Sequence, residues 1–135
     1  MRYSMNKSMP EKQKSKRVLI IEDDQFLVRV YQIKFAKAGL ETSIATNAEE
    51  IEHALKGNPP SVVLLDLMLS GASGFDVLES IKKKSGWAHV PVVIVSNLSQ
   101  TEDIERGKQL GAADYIVKAN AKISEIVDAI MRYAQ

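Results

Sequence analysis

The sequence predicts an α/β domain: a doubly wound, five-stranded parallel sheet with five helices packed on both faces. Three observations carry this expectation. Val18–Ile21, Val62–Leu65 and Val92–Val95 are apolar at every position, as strands are when both faces of a parallel sheet are covered. The segments between them place apolar residues at helical spacing. The two kinds of element alternate strictly along the chain, which forces right-handed parallel crossovers with helices on both sides.

Taken in order, Met1 to Lys16 has no apolar periodicity, and its lysines are diluted by Ser, Asn and Gln. It reads as a flexible leader over 1–16 ahead of a domain spanning 17–135. Arg17–Ile21 is the first strand and ends at Glu22-Asp23-Asp24. Gln25 to Ala38 offers Phe26, Val30 and Ile33 beside Leu27 and Tyr31, spacings of an amphipathic helix, with Asp24 as N-cap and Gly39 just past its end. Glu41–Ala45 is a weaker strand. Thr46 with Glu49, or Asn47 with Glu50, forms a capping box for a helix through Ile51 and Leu55, stopped at Gly57-Asn-Pro-Pro60. The Val62–Leu65 strand runs into Asp66 and a loop to Ser73.

Phe75, Leu78 and Ile81 mark the third helix. Its final Lys82-Lys83-Lys84 suits the helix dipole and reads as a solvated face. Trp87 to Pro91 connects to Val92–Val95, which ends at Ser96-Asn97, and His89 reads as an exposed loop residue. Ser99 to Gln109 is polar and weakened by Gly107, hence the most mobile of the helices. Asp114–Val117 is the fifth strand and ends at Lys118. Ile123, Ile126, Val127, Ile130 and Met131 form the stripe of the last helix. A sheet order of 2-1-3-4-5, flavodoxin-like, follows by analogy with other doubly wound sheets.

Composition excludes several classes. Among 135 residues there is no cysteine, so no disulfide frame, thiolate zinc site or cysteine nucleophile. The two histidines lack metal-ligand spacing, and a net charge of +1 gives no argument for nucleic acid or membrane. No stretch reaches transmembrane length, and no signal sequence is evident, so a cytoplasmic protein is expected.

The chemistry lies where the strands end. Glu22 and Asp23, Asp66, Ser96 and Lys118 follow four different strands, and in a parallel sheet those ends share one edge. Each has a dull explanation alone; an aspartate closing a strand is usually only solvated. Together they are more specific. Carboxylates converging at the switch point repel one another and call for a cation. Hard oxygen donors with few protein contacts suit Mg²⁺. Lys118 supplies a positive charge for a phosphoryl group and Ser96 a hydroxyl donor, while an aspartate can itself accept the group.

These stretches, Val18-Leu-Ile-Ile-Glu-Asp-Asp24, Val63-Leu-Leu-Asp-Leu-Met-Leu69 with Gly74, Pro91-Val-Val-Ile-Val-Ser96 and Gly111-Ala-Ala-Asp-Tyr-Ile-Val-Lys118, resemble the receiver domain of two-component response regulators over residues 17 to 135. The resemblance implies Asp66 as phosphoacceptor. It implies Glu22 and Asp23 as the acidic pair for Mg²⁺, Asp23 being the direct ligand and the Met68 backbone carbonyl a further one. It implies Ser96 as switch hydroxyl, Lys118 as its paired lysine and Tyr115 as the aromatic that follows the switch. The expected function is a single-domain receiver that takes a phosphoryl group from a histidine kinase or phosphotransfer protein and slowly loses it to water. It would catalyse only its own phosphorylation and dephosphorylation. A downstream protein is expected at the face of the fourth helix, fifth strand and fifth helix.

Three departures from that family's pattern stand out: Ser70 and Ala119 where it usually has proline, and Asn97 where it usually has a small residue. Of the rivals, an FMN binder would need a hydroxyl- and glycine-rich phosphate loop where this chain has three acids. A phosphate-ester hydrolase would need an acid at Met68. A degenerate receiver, binding partners without phosphorylation, is the alternative against which the intact acids, hydroxyl and lysine argue.

Overall fold

A computed structural model describes residues 16–135; the leader expected over 1–16 lies, apart from Lys16, outside the described residues. The elements are β1 (Arg17–Ile21), α1 (Gln25–Lys37), β2 (Glu41–Ala45), α2 (Ala48–Leu55), β3 (Val62–Leu65), α3 (Gly74–Lys83), β4 (Val92–Ser96), α4 (Thr101–Gln109), β5 (Asp114–Val117) and α5 (Ile123–Tyr133). All pairings in the five-stranded sheet are parallel and the order is β2-β1-β3-β4-β5, as expected. Two short features were not foreseen: an antiparallel hairpin of Met68–Leu69 with Ala72–Ser73, and a 3₁₀ turn over Lys118–Asn120.

The uninterrupted apolar runs are explained by two cores. Leu19, Ile21, Val63, Leu65, Val92 and Ile94 face Ile51, Leu78, Ile81 and Trp87 on one side. Val18, Ile20, Val62, Leu64, Val93 and Val95 face Val28, Tyr31, Phe35, Ile126 and Ile130 on the other. All four residues of β3 are fully buried, each stabilising the fold by about 1.5–3 kcal/mol relative to exposure. A charged substitution in β3 would therefore break the sheet from within.

Local signals set the helix ends. Asp24 Oδ1 accepts the Leu27 N–H at 3.1 Å and starts α1. Gly39 follows α1 at φ 86°, a conformation suited to glycine. Of the two capping boxes offered for α2, only the Asn47 half of one forms: Asn47 Oδ1 accepts the Glu50 N–H at 2.8 Å, while Glu50 reaches past the N-cap to the Thr46 N–H and hydroxyl, so the reciprocal bond of the box is not made. Gly74 opens α3 against the backbone of Leu67, where any Cβ would overlap main-chain atoms.

Two expectations are corrected. α1 buries Val28, Tyr31 and Phe35, whereas Phe26 and Ile33 are 75% and 51% exposed; the stripe through Phe26, Val30 and Ile33 faces outward because the sheet takes the neighbouring one. Lys82 is not part of a solvated face. Its stem is half-buried, and its ammonium donates to the carbonyls of Val90 and Ala88 at 2.9 and 3.3 Å, pinning the α3–β4 connection. α4 is helical as expected, with no side-chain cap at Gln100.

Candidate functional site

The sheet register brings the polar strand ends to one edge. Ile21 pairs with Leu65, Leu65 with Ile94, and Ser96 with Val117, so the residues just beyond share one level. The Asp66 N–H continues the ladder to the Ile21 carbonyl at 2.9 Å. Lys118 reaches across: Nζ donates to Glu22 Oε1 at 2.6 Å and to Asp66 Oδ2 at 2.9 Å. Asp66 Oδ1 accepts the Met68 N–H at 3.0 Å, and Glu22 Oε2 accepts the Asp24 N–H at 3.1 Å. Glu22, Asp66 and Ser96 are buried, at 1%, 4% and 0% exposure.

Asp23 is half-buried at the rim. Its Oδ2 accepts the Ser70 N–H at 2.9 Å, tying the loop after β1 to the loop after β3. Ser96 Oγ accepts the Leu98 N–H at 3.4 Å. The Tyr115 hydroxyl donates to the Leu98 carbonyl at 2.6 Å, so the loop after β4 contacts this aromatic directly. The Lys118–Ala119 bond is trans, as all peptide bonds in the described chain are. The Ala119 N–H donates to Asn97 Oδ1 at 3.0 Å, a contact between two residues the sequence marked only as separate departures.

The electrostatics follow from burial set against pairing. Burial pushes the Asp66 carboxyl up, but the Met68 N–H, Lys118 and, to a smaller degree, Ser96 together hold it below the ordinary range. Burial likewise pushes Glu22 up, and here it wins over Lys118, with the charge of Asp66 adding to it. Burial pulls Lys118 down, but its hydrogen bonds to Glu22 and Asp66 prevail and raise it. Of the two buried carboxyls, Asp66 is thus the one whose ionised form its surroundings favour. Beneath the site, the wholly buried Tyr31 has a hydroxyl with no hydrogen-bond partner among the described residues; burial pushes its pKa up to about 12.

Among the described residues, no three His, Cys, Asp or Glu side chains are grouped so as to hold a metal ion. Lys118 engages Glu22 and Asp66 alike, so the carboxylates at this edge are Asp23 at the rim with Asp66 and Glu22 buried behind it. That donor set is oxygen alone. With three acids and one lysine its formal charge is negative, which fits a hard divalent cation completed by a backbone carbonyl and water. A cavity of ≈ 640 Å³ lined by Arg17, Ser43, His53 and Trp87 includes none of the strand-end residues, whereas a smaller one of ≈ 240 Å³ is lined by Lys118 with Asn97, Ala119 and Tyr31. No helix of the described residues is long and apolar enough to cross a membrane.

Residues 18–131 match the model of the response regulator receiver domain family. The chain is 34% identical over 102 residues to the DNA-binding response regulator MtrA of Mycolicibacterium paratuberculosis, covering 76% of this chain and 44% of that protein. It is 32% identical over 102 residues to the probable transcriptional regulator ycf27 of Porphyridium aerugineum, covering 76% and 41%. The chain thus spans less than half the length of these curated relatives. Among solved structures, the non-phosphorylated HemR receiver domain of Leptospira biflexa superposes with a TM-score of 0.82 at 27% identity, covering 90% of this chain and 95% of that one. The receiver domain of the Francisella response regulator 1452 gives 0.80 at 26%, covering 89% and 97%.

Proposed function

Because the chain belongs to the response regulator receiver domain family, we propose that it accepts a phosphoryl group on Asp66 and switches the binding of a downstream protein. The donor is a phosphohistidine on a histidine kinase or phosphotransfer protein. The observation that carries this reading is the state of Asp66: nearly buried, yet held ionised by the Met68 N–H and by Lys118 at 2.9 Å.

An Asp66 carboxylate oxygen attacks phosphorus, the histidine N–P bond breaks, and the imidazole leaves with the electron pair and takes up a proton. Lys118 offsets charge on the phosphoryl oxygens. Asp23, Asp66 and the Met68 carbonyl would hold Mg²⁺, with Glu22 behind them, and the ion would screen the acids from the incoming phosphate. The Ser96 hydroxyl would donate to the new phosphoryl group. Leu98, bonded to both Ser96 and Tyr115, would carry that change to the face of α4, β5 and α5, where the partner binds. The chain catalyses only its own phosphorylation and slow hydrolysis.

Incubation with acetyl phosphate and Mg²⁺, followed by intact mass, tests the reading. One added phosphoryl group, absent in Asp66→Asn and without Mg²⁺, is the expected result. No gain in the unaltered chain sinks it.

A further inference from the structure

We propose that Asn97 is a positioning residue for Lys118, acting through its hydrogen bond to the Ala119 N–H. This rests on the phosphoacceptor reading of Asp66. The physical need arises in the 3₁₀ turn over Lys118–Asn120. The first N–H groups of a helical turn have no partner within it and are ordinarily met by a side chain at the N-cap. Here the N-cap is Val117, which carries no acceptor and makes no side-chain cap bond. Asn97 supplies one from just past the end of β4, its Oδ1 accepting the Ala119 N–H at 3.0 Å.

Lys118 is the first residue of that turn, so closing the turn sets the direction in which its side chain leaves the backbone. Asn97 is also the residue after Ser96, whose partner across the sheet is Val117. One hydrogen bond therefore joins the loop bearing the hydroxyl to the loop bearing the ammonium. Each group's immediate neighbour holds the other, and the two are kept in register around Asp66.

The bond is exposed, and lysine is long enough to reach Asp66 from a loosened backbone. Losing it should slow phosphorylation without abolishing it, by about two- to tenfold, the range of one net hydrogen bond.

The test compares Asn97→Leu, of similar size without an acceptor, with Asn97→Asp, which keeps one. Phosphorylation by acetyl phosphate is measured at saturating Mg²⁺, alongside Mg²⁺ affinity and hydrogen exchange of the Ala119 amide. The expected result is a slower Asn97→Leu with unchanged Mg²⁺ affinity and an unprotected Ala119 amide, and both rate and protection recovered in Asn97→Asp. A wild-type rate in Asn97→Leu overturns the proposal, as does an Asn97→Asp as slow as Asn97→Leu. If the unaltered chain takes up no phosphoryl group, the phosphoacceptor reading fails on its own. The ¹⁵N resonance of the Lys118 ammonium then decides the positioning: moved in Asn97→Leu supports it, unmoved overturns it.

Discussion

Lys118 lies closer to Glu22 than to Asp66, 2.6 Å against 2.9 Å. The two carboxylates compete for one cation, and the more deeply buried one holds it more closely. Glu22 nevertheless has a raised pKa, because burial outweighs the lysine. Its ionised form is therefore less favoured in the folded chain than in the unfolded one.

That direction fixes the sign of the first prediction. A carboxyl whose folded pKa lies above its unfolded value costs stability as pH rises from the unfolded value through the folded one. Glu22→Gln removes this cost and leaves Lys118 paired with Asp66, so no unpaired buried charge results. The variant should match the parent near pH 4, below the ordinary glutamate value, and gain on it as pH rises to 7. Urea midpoints at the two pH values check this; a variant that loses ground between pH 4 and 7 contradicts it.

The second prediction separates two roles of Asp23. Carboxylate repulsion alone would make Asp23→Ala stabilising. The bond from the Ser70 N–H opposes that gain by about 0.5–1.5 kcal/mol. Asp23→Asn keeps the acceptor and removes the charge. It should melt at or above the parent's temperature while losing Mg²⁺-dependent phosphorylation; Asp23→Ala should be less stable than Asp23→Asn. Retained phosphorylation in Asp23→Asn would remove Asp23 from the metal assignment.

Third, the phosphorylated state should be long-lived. Met68 is 56% exposed at the rim and Leu98 half-buried on the facing loop. Neither side chain can orient an attacking water through a strong hydrogen bond. Met68→Asn with Leu98→Asn should shorten the phosphoryl half-life several-fold, followed by intact mass after donor removal. An unchanged half-life argues against side-chain control of the water.

Fourth, Gly107→Ala should destabilise the fold although alanine favours helices by roughly 0.5–1 kcal/mol. A Cβ there would stand 2.7 Å from Ile94 Cδ1 and 3.2 Å from the Tyr115 ring. Ile94 is fully buried, and overpacking of this kind costs about 1–3 kcal/mol. The Ile94 Cδ1 end must rotate within the packed core, α4 must lift or Tyr115 must turn, so the melting temperature falls, and where Tyr115 moves its hydroxyl exchanges faster by NMR. A higher melting temperature would mean that the core beneath α4 yields easily.

Fifth, Tyr31→Phe should raise stability by about 1 kcal/mol, since it removes a buried hydroxyl without a partner among the described residues. The phosphorylation rate should not change. A slower rate would mean that this hydroxyl acts on Lys118 from beneath.

The strand ends were readable from sequence because strands covered on both faces have no alternation to obscure where they stop. Glu22, Asp66, Ser96 and Lys118 each mark the first break in an apolar run or strand. The outward stripe of α1 was not readable: two apolar stripes run along that helix, and only the packed sheet selects Val28, Tyr31 and Phe35. Lys82 was misread because a run of three lysines looks uniform, while only the middle of the α3–β4 connection supplies carbonyls to the first of them. The contact between Asn97 and Ala119 escaped for a different reason. It depends on how two loops curve after adjacent strands, which no periodicity encodes.

The Glu22–Lys118 contact joins residues 96 apart in the chain, and the Asp66–Lys118 contact residues 52 apart. Closing loops of that size costs chain entropy before the contacts they permit repay it, so the ion pairs are expected to form late in folding. A chain folded only as far as β4 would expose the acids without the ammonium. On the proposed function, competence to take a phosphoryl group would be gained only when β5 docks beside β4. In a refolding experiment, phosphorylation should recover with the slowest phase and lag behind the return of helical signal.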